Sequence, residues 1–247
     1  MPPDLSRRGL LLTGGTAAAT PLLSDAVAQP ATAPPARAPA PGDARPPWEF
    51  FTEPEAALVS AAVDRLIPPD EEFAGAVGAG VPTYIDRQLA GAYGTGHRLY
   101  RQGPFAEGTP EQGYQLPLTP AELYRAGLAG FATWAERGYG RRFEALDGRL
   151  QDEALGKLES GEAGFDTVPS ALFFETLLAN TVEGFFADPM YGGNRDMVGW
   201  RMVGFPGPYA GYAELVGRHN LRFVRAPRGI AQAVLDHAHH PAPRTNR

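Results

Sequence analysis

Four of the five helix-like stretches in this sequence open on a proline, at Pro54, Pro82, Pro120 and Pro169. Proline has no amide hydrogen and a fixed φ, so it is tolerated in the first turn of a helix and breaks the ladder of a central strand. Thr52-Glu53-Pro54-Glu55 and Thr119-Pro120-Ala121-Glu122 add a capping box, in which threonine and glutamate each satisfy an amide of the other's turn. Behind the first box, Leu58, Ala62 and Leu66 recur every fourth residue with Val59, Val63 and Ile67 beside them, which makes one wide apolar face. Pro68-Pro69 ends that helix and leaves Asp70-Glu71-Glu72 exposed. The second helix, opened by Pro82, turns Ile85 and Leu89 inward until Gly94. The third runs through Leu123, Gly127, Phe131 and Trp134. Asp147 caps a fourth that carries Leu150, Leu155 and Leu158, with Gly161 as its stop. The fifth, Ser170 to Phe186, is apolar all round, the pattern of a central buried helix. Only Met197–Val203 and Leu221–Val224 alternate with period two, and both are short. The expected fold is therefore mainly α: a compact multi-helix domain with long Gly/Pro-rich loops, the longest over 94–118.

Residues 1–28 read as an export signal. Ser6-Arg7-Arg8-Gly9-Leu10-Leu11 is followed by a mildly apolar stretch to Leu23, softened by Gly14, Gly15 and several alanines, and then by Ala26-Val27-Ala28, an A-x-A cleavage site. The paired Arg7 and Arg8 and the weak apolar region fit a twin-arginine signal better than a general secretory one. Residues 29–47 hold seven Pro and six Ala, a composition that buries no core and forms an extended linker. The helical domain spans 48–217, and 218–247 is a basic tail. The chain has no Cys, which excludes a disulfide scaffold, a thiolate nucleophile and an iron–sulfur cluster, and which suits an oxidising periplasm.

Charge is unevenly spread. The domain carries 12 basic against 24 acidic side chains, whereas the tail carries six Arg against Asp236. An acidic body repels a phosphate backbone, so nucleic acid is not an expected partner. Gly94-Thr95-Gly96 and Gly78-Ala79-Gly80 lack the third glycine and the preceding strand of a dinucleotide site. There is no P-loop, no G-x-S-x-G and no H-E-x-x-H. His237, His239 and His240 lie among Ala and Pro near the chain end and read as a solvated tail. No catalytic, cofactor-binding or metal-binding residue is assigned.

The densest polar cluster follows the fifth helix: Glu183-Gly184-Phe185-Phe186-Ala187-Asp188-Pro189-Met190-Tyr191-Gly192-Gly193-Asn194-Arg195-Asp196, then Gly199-Trp200. Asp188-Pro189 marks a turn, Gly192-Gly193 permits positive φ, and Asn194 can bond its neighbouring backbone. Glu183, Asp188, Asn194, Asp196 and Trp200 are candidates for fold bracing or for docking a partner. A stand-alone periplasmic enzyme using these carboxylates, or a solitary ligand-binding protein, are the alternatives.

The block Glu183–Pro208, together with Ala61–Asp70 and Gly80–Asp86, resembles gluconate 2-dehydrogenase subunit 3 over roughly 50–210. The resemblance implies a small periplasmic subunit of a dehydrogenase complex that oxidises sugars or alcohols. It implies a large flavoprotein partner that holds FAD, often with a multihaem cytochrome c, and membrane association through that complex. It further implies that this chain, bearing no cofactor of its own, supplies the signal read by the twin-arginine translocase and helps the flavoprotein mature. The family carries no catalytic residues to transfer onto this sequence.

Overall fold

The computed structural model describes residues 48–106, 108–109, 115–166, 168–208, 217–220 and 225–232. The export signal with Arg7 and Arg8, the linker, the Leu221–Val224 stretch and the tail histidines lie outside the described residues. Helices α1 (Glu53–Leu66), α2 (Val81–Ala90), α3 (Pro120–Tyr139), α4 (Gly148–Glu159), α5 (Ser170–Phe186) and α6 (Val198–Val203) are joined by loops and three 3₁₀ turns. No strand occurs among the described residues, and the mainly α expectation holds.

The prolines and caps act as their positions require. Glu55 accepts the Thr52 amide at 2.8 Å at the start of α1. At the start of α3 the box closes from both sides, with Thr119 N–H on Glu122 at 2.7 Å and Glu122 N–H on the Thr119 hydroxyl at 3.2 Å. Asp147 accepts the Leu150 amide at 3.0 Å and caps α4. Each such cap is worth about 1 kcal/mol, because it satisfies a helix amide that has no partner within the helix.

Helix α5 is the axis of the bundle and touches α1, α2, α3, α4 and α6. Its Phe173, Leu177 and Phe185 are buried in one core cluster with Tyr124, Phe131 and Ile85 from the surrounding helices. Phe173 meets the ring of Tyr124 edge-on, with centroids 5.8 Å apart. Truncating a fully buried phenylalanine of this kind costs about 3–5 kcal/mol. The helix is not apolar throughout: Asn180 and Thr181 are buried, and Thr181 donates to the Leu177 carbonyl at 2.6 Å.

The alternation of Met197–Val203 does not yield a strand. Residues 198–203 close into α6, and a period of two over seven residues cannot override the glycine that follows. Gly204, at φ 72°, donates to the Arg201 carbonyl, and Phe205 donates to Trp200 at 2.8 Å. These two bonds form a Schellman closure, and the Trp200–Phe205 ring contact at 5.2 Å supplies its apolar partner.

The chain enters the domain through a polar clasp on α2. Asp86, only 2 % exposed, accepts the amides of Glu49, Phe50 and Phe51 at 2.8, 2.9 and 2.8 Å. Arg125 of α3 lies 3.9 Å over the Phe50 ring, donates to the Phe50 carbonyl and pairs with Glu55. The segment just after the linker is thereby fixed to two helices.

Candidate functional site

The segment after α5 folds back over the C-terminal end of that helix. Gly193 and Gly199 allow this: a Cβ on Gly193 would fall 2.1 Å from the Gly184 carbonyl oxygen, and one on Gly199 would fall 2.3 Å from that of Phe185. Any side chain at either position would separate the segment from the helix. Close approach, more than positive φ, is what these two glycines supply.

Three of the five candidate residues are consumed by this packing. Asn194 is fully buried; its amide group donates to the Ala187 carbonyl at 2.8 Å and its oxygen accepts the Gly199 amide at 2.9 Å. It thus ties the end of α5 to the start of α6. The Trp200 indole N–H donates to the Phe186 carbonyl at 2.7 Å, adding a second tie between the same elements. Asp188 is buried and uses both oxygens: one accepts the Met190 amide at 3.1 Å, starting the 3₁₀ turn Pro189–Tyr191, and the other accepts the Ile230 amide at 2.7 Å.

The remaining two face solvent. Asp196 is exposed and accepts no hydrogen bond among the described residues. It stands in the left-handed region at φ 56°, between Asn194 at 45° and Met197 at 56°. Three non-glycine residues in that region within four positions store backbone strain of about 1 kcal/mol or more each, which the Asn194 bonds hold in place. Glu183 is exposed at the C-terminal end of α5 and accepts a hydrogen bond from the Asn180 amide group at 3.1 Å.

Asn180 links Glu183 to a tyrosine cluster that has no spacing signal in the sequence. Its oxygen accepts the Tyr124 hydroxyl at 2.8 Å and the Tyr93 hydroxyl at 3.3 Å. Burial, and then the Glu183 charge, push the Tyr84 hydroxyl up to about 12. Burial raises Tyr93 as well, and it raises Tyr124 well above the usual phenol range. All three phenols are therefore neutral hydrogen-bonding groups near neutral pH.

The block exposes charged side chains, Glu183, Arg195, Asp196 and Arg201, and several large apolar ones. Met190, Tyr191, Met202, Val203, Phe205 and Ile230 are all exposed. Clefts among the described residues lie elsewhere. One, of about 190 Å³, is lined by Leu58, Leu128, Phe143, Arg142 and Glu144; another, of about 300 Å³, sits in the 99–118 loop around Tyr100, Arg101 and Phe105. Neither includes a residue of the 183–208 block. No group of three metal-ligating side chains occurs among the described residues.

The described residues form a helical domain in which Asp188, Asn194 and Trp200 brace the loop that follows α5. The family described as gluconate 2-dehydrogenase subunit 3 matches residues 53–207, well over half of the chain, and the chain belongs to that family. Membership as a subunit implies a complex with other dehydrogenase subunits. No significant match was found among curated proteins or solved structures.

Proposed function

We propose that the chain is the non-catalytic small subunit of a periplasmic, FAD-dependent sugar or alcohol dehydrogenase, and that it carries the flavoprotein through the twin-arginine translocase. The family assignment over 53–207 is the observation that supports this most strongly. The leader around Arg7 and Arg8 and the Pro/Ala linker agree with it, because an export tag on a long tether suits a chain that escorts a folded partner. FAD would reside in the large subunit, and a multihaem cytochrome c would complete the electron path to the membrane.

The exposed side chains Met190, Tyr191, Met202, Val203 and Phe205 are where this reading puts the flavoprotein. Methionine and aromatic residues dominate the buried centres of protein interfaces. The enzyme reading has less support: Asp188 engages both carboxylate oxygens with backbone amides and lines neither cleft.

Affinity purification of the mature chain from periplasm tests the proposal. Co-elution of a flavin-containing dehydrogenase in fixed stoichiometry is the expected result. Turnover of a sugar or alcohol by the chain alone would overturn it.

A further inference from the structure

Resting on that assignment as a complex subunit, we infer that Glu183 is the seat of a basic side chain, arginine or lysine, supplied by the flavoprotein. The carboxylate is exposed, yet it is held from beneath. Buried Asn180 donates to it at 3.1 Å, while the Asn180 oxygen accepts the Tyr124 hydroxyl at 2.8 Å and the Tyr93 hydroxyl at 3.3 Å. A carboxylate only accepts, so the amide nitrogen must face Glu183 and the oxygen must face the phenols. The network sets this exposed glutamate in place before any partner arrives, which lowers the ordering cost of binding.

Its position makes the charge unfavourable in the free chain. Glu183 stands three residues from the end of α5, where the helix dipole already places partial negative charge, and the last turn holds no basic residue. None of the ion pairs among the described residues includes Glu183. Arg87 on the neighbouring α2 pairs with Glu49 instead, at 3.8 Å. An incoming cation is attracted by the carboxylate and the dipole together. The domain as a whole carries 24 acidic against 12 basic side chains, so the partner surface that complements it is basic.

Aromatic side chains border the carboxylate. A Cβ on Gly184 would fall 2.7 Å from Tyr84 Cδ1, so the Tyr84 ring lies across the residue next to Glu183. Tyr93, 38 % exposed, shares Asn180 with it. Rings beside an anion suit both the methylene stem and the charged head of a basic side chain. The loop that carries exposed Met190 and Tyr191 runs alongside: a Cβ on Gly192 would fall 3.4 Å from Thr83 Cγ2, one residue before Tyr84. Glu183 therefore adjoins side chains on which the flavoprotein is placed, and it adds the charge that those contacts lack.

Glu183→Gln removes the charge and keeps an acceptor for Asn180, and its melting temperature checks the fold. Glu175→Gln, also exposed and eight residues earlier on the same helix, is the control. Purified flavoprotein is titrated into the wild-type chain and both variants by calorimetry, at low and at high ionic strength. Glu183→Gln is expected to bind about tenfold more weakly than wild type at low ionic strength, the scale of a hydrogen bond to a charged group, and to lose less affinity on adding salt. Glu175→Gln is expected to stay within about twofold of wild type. Equal binding by Glu183→Gln and wild type, an unchanged salt dependence, or equal losses in the two variants overturns the cation site and leaves the subunit assignment standing. No binding by any of the three chains overturns both.

Discussion

Asp86 on α2 accepts the amide of Phe51 at 2.8 Å across 35 residues of chain, and takes the amides of Phe50 and Glu49 on the same carboxylate. Three donors on one buried anion lock the point where the linker joins the domain. Asp86→Ala leaves all three without an acceptor and should cost about 3 kcal/mol or more, read as a lower urea midpoint at unchanged slope. Asp86→Asn keeps acceptor capacity on one oxygen and should cost roughly half as much. A loss within about 0.5 kcal/mol for the alanine variant would mean that water replaces the carboxylate freely.

Asn194 joins the end of α5 to the start of α6 through two backbone bonds at a fully buried site. Asn194→Ala removes both and places alanine at φ 45°. A destabilisation of about 2–4 kcal/mol is expected from urea unfolding. Asn194→Gly should recover about 1 kcal/mol of that by removing the backbone strain alone.

Asp196 separates strain from recognition, being exposed, unbonded among the described residues and left-handed at φ 56°. Asp196→Gly should raise stability by about 0.5–1 kcal/mol. If the side chain contacts the flavoprotein, the same variant will bind it more weakly despite the gain. Calorimetric unfolding and partner titration on one preparation read the two effects independently.

Alkaline pH should unfold the domain through its tyrosines. Tyr84 is raised from 10.0 to about 12, by burial and then by Glu183. Its folded pKa is therefore above the unfolded one, so the folded chain holds the proton more tightly. That contribution is complete below pH 10 and is lost as pH rises from about 10 to about 12. Melting temperature should fall across this window, with Tyr93 and Tyr124 adding to the slope in the same sense. Tyr84→Phe, which cannot ionise, should melt with a shallower pH dependence.

The helices were legible because their signals are local. Thr119 and Glu122 stand three residues apart and close their box in the structure as the spacing requires. The apolar run of α5 likewise places it at the centre. The ties that brace the site are long-range and leave no such trace. Asp188 reads as the start of a turn, which it is, yet its second oxygen serves Ile230, 42 residues on. Asp86 reads as one polar residue on a short helix, and its three amide donors lie far upstream. Gly193 reads as a residue that permits positive φ and Gly199 carries no signal, because a sequence does not display the carbonyls they meet. Met197–Val203 alternated over too few residues for the period to decide, and the Gly204 closure made it helical.

The account stands on this chain serving as the exported partner of a redox flavoprotein, and the paired arginines give the most direct handle. With both subunits expressed together, replace Arg7 and Arg8 by lysine and measure flavoprotein dehydrogenase activity in the periplasmic and cytoplasmic fractions. The account predicts that activity disappears from the periplasm and that the flavoprotein accumulates inside the cell. Undiminished periplasmic activity would contradict it.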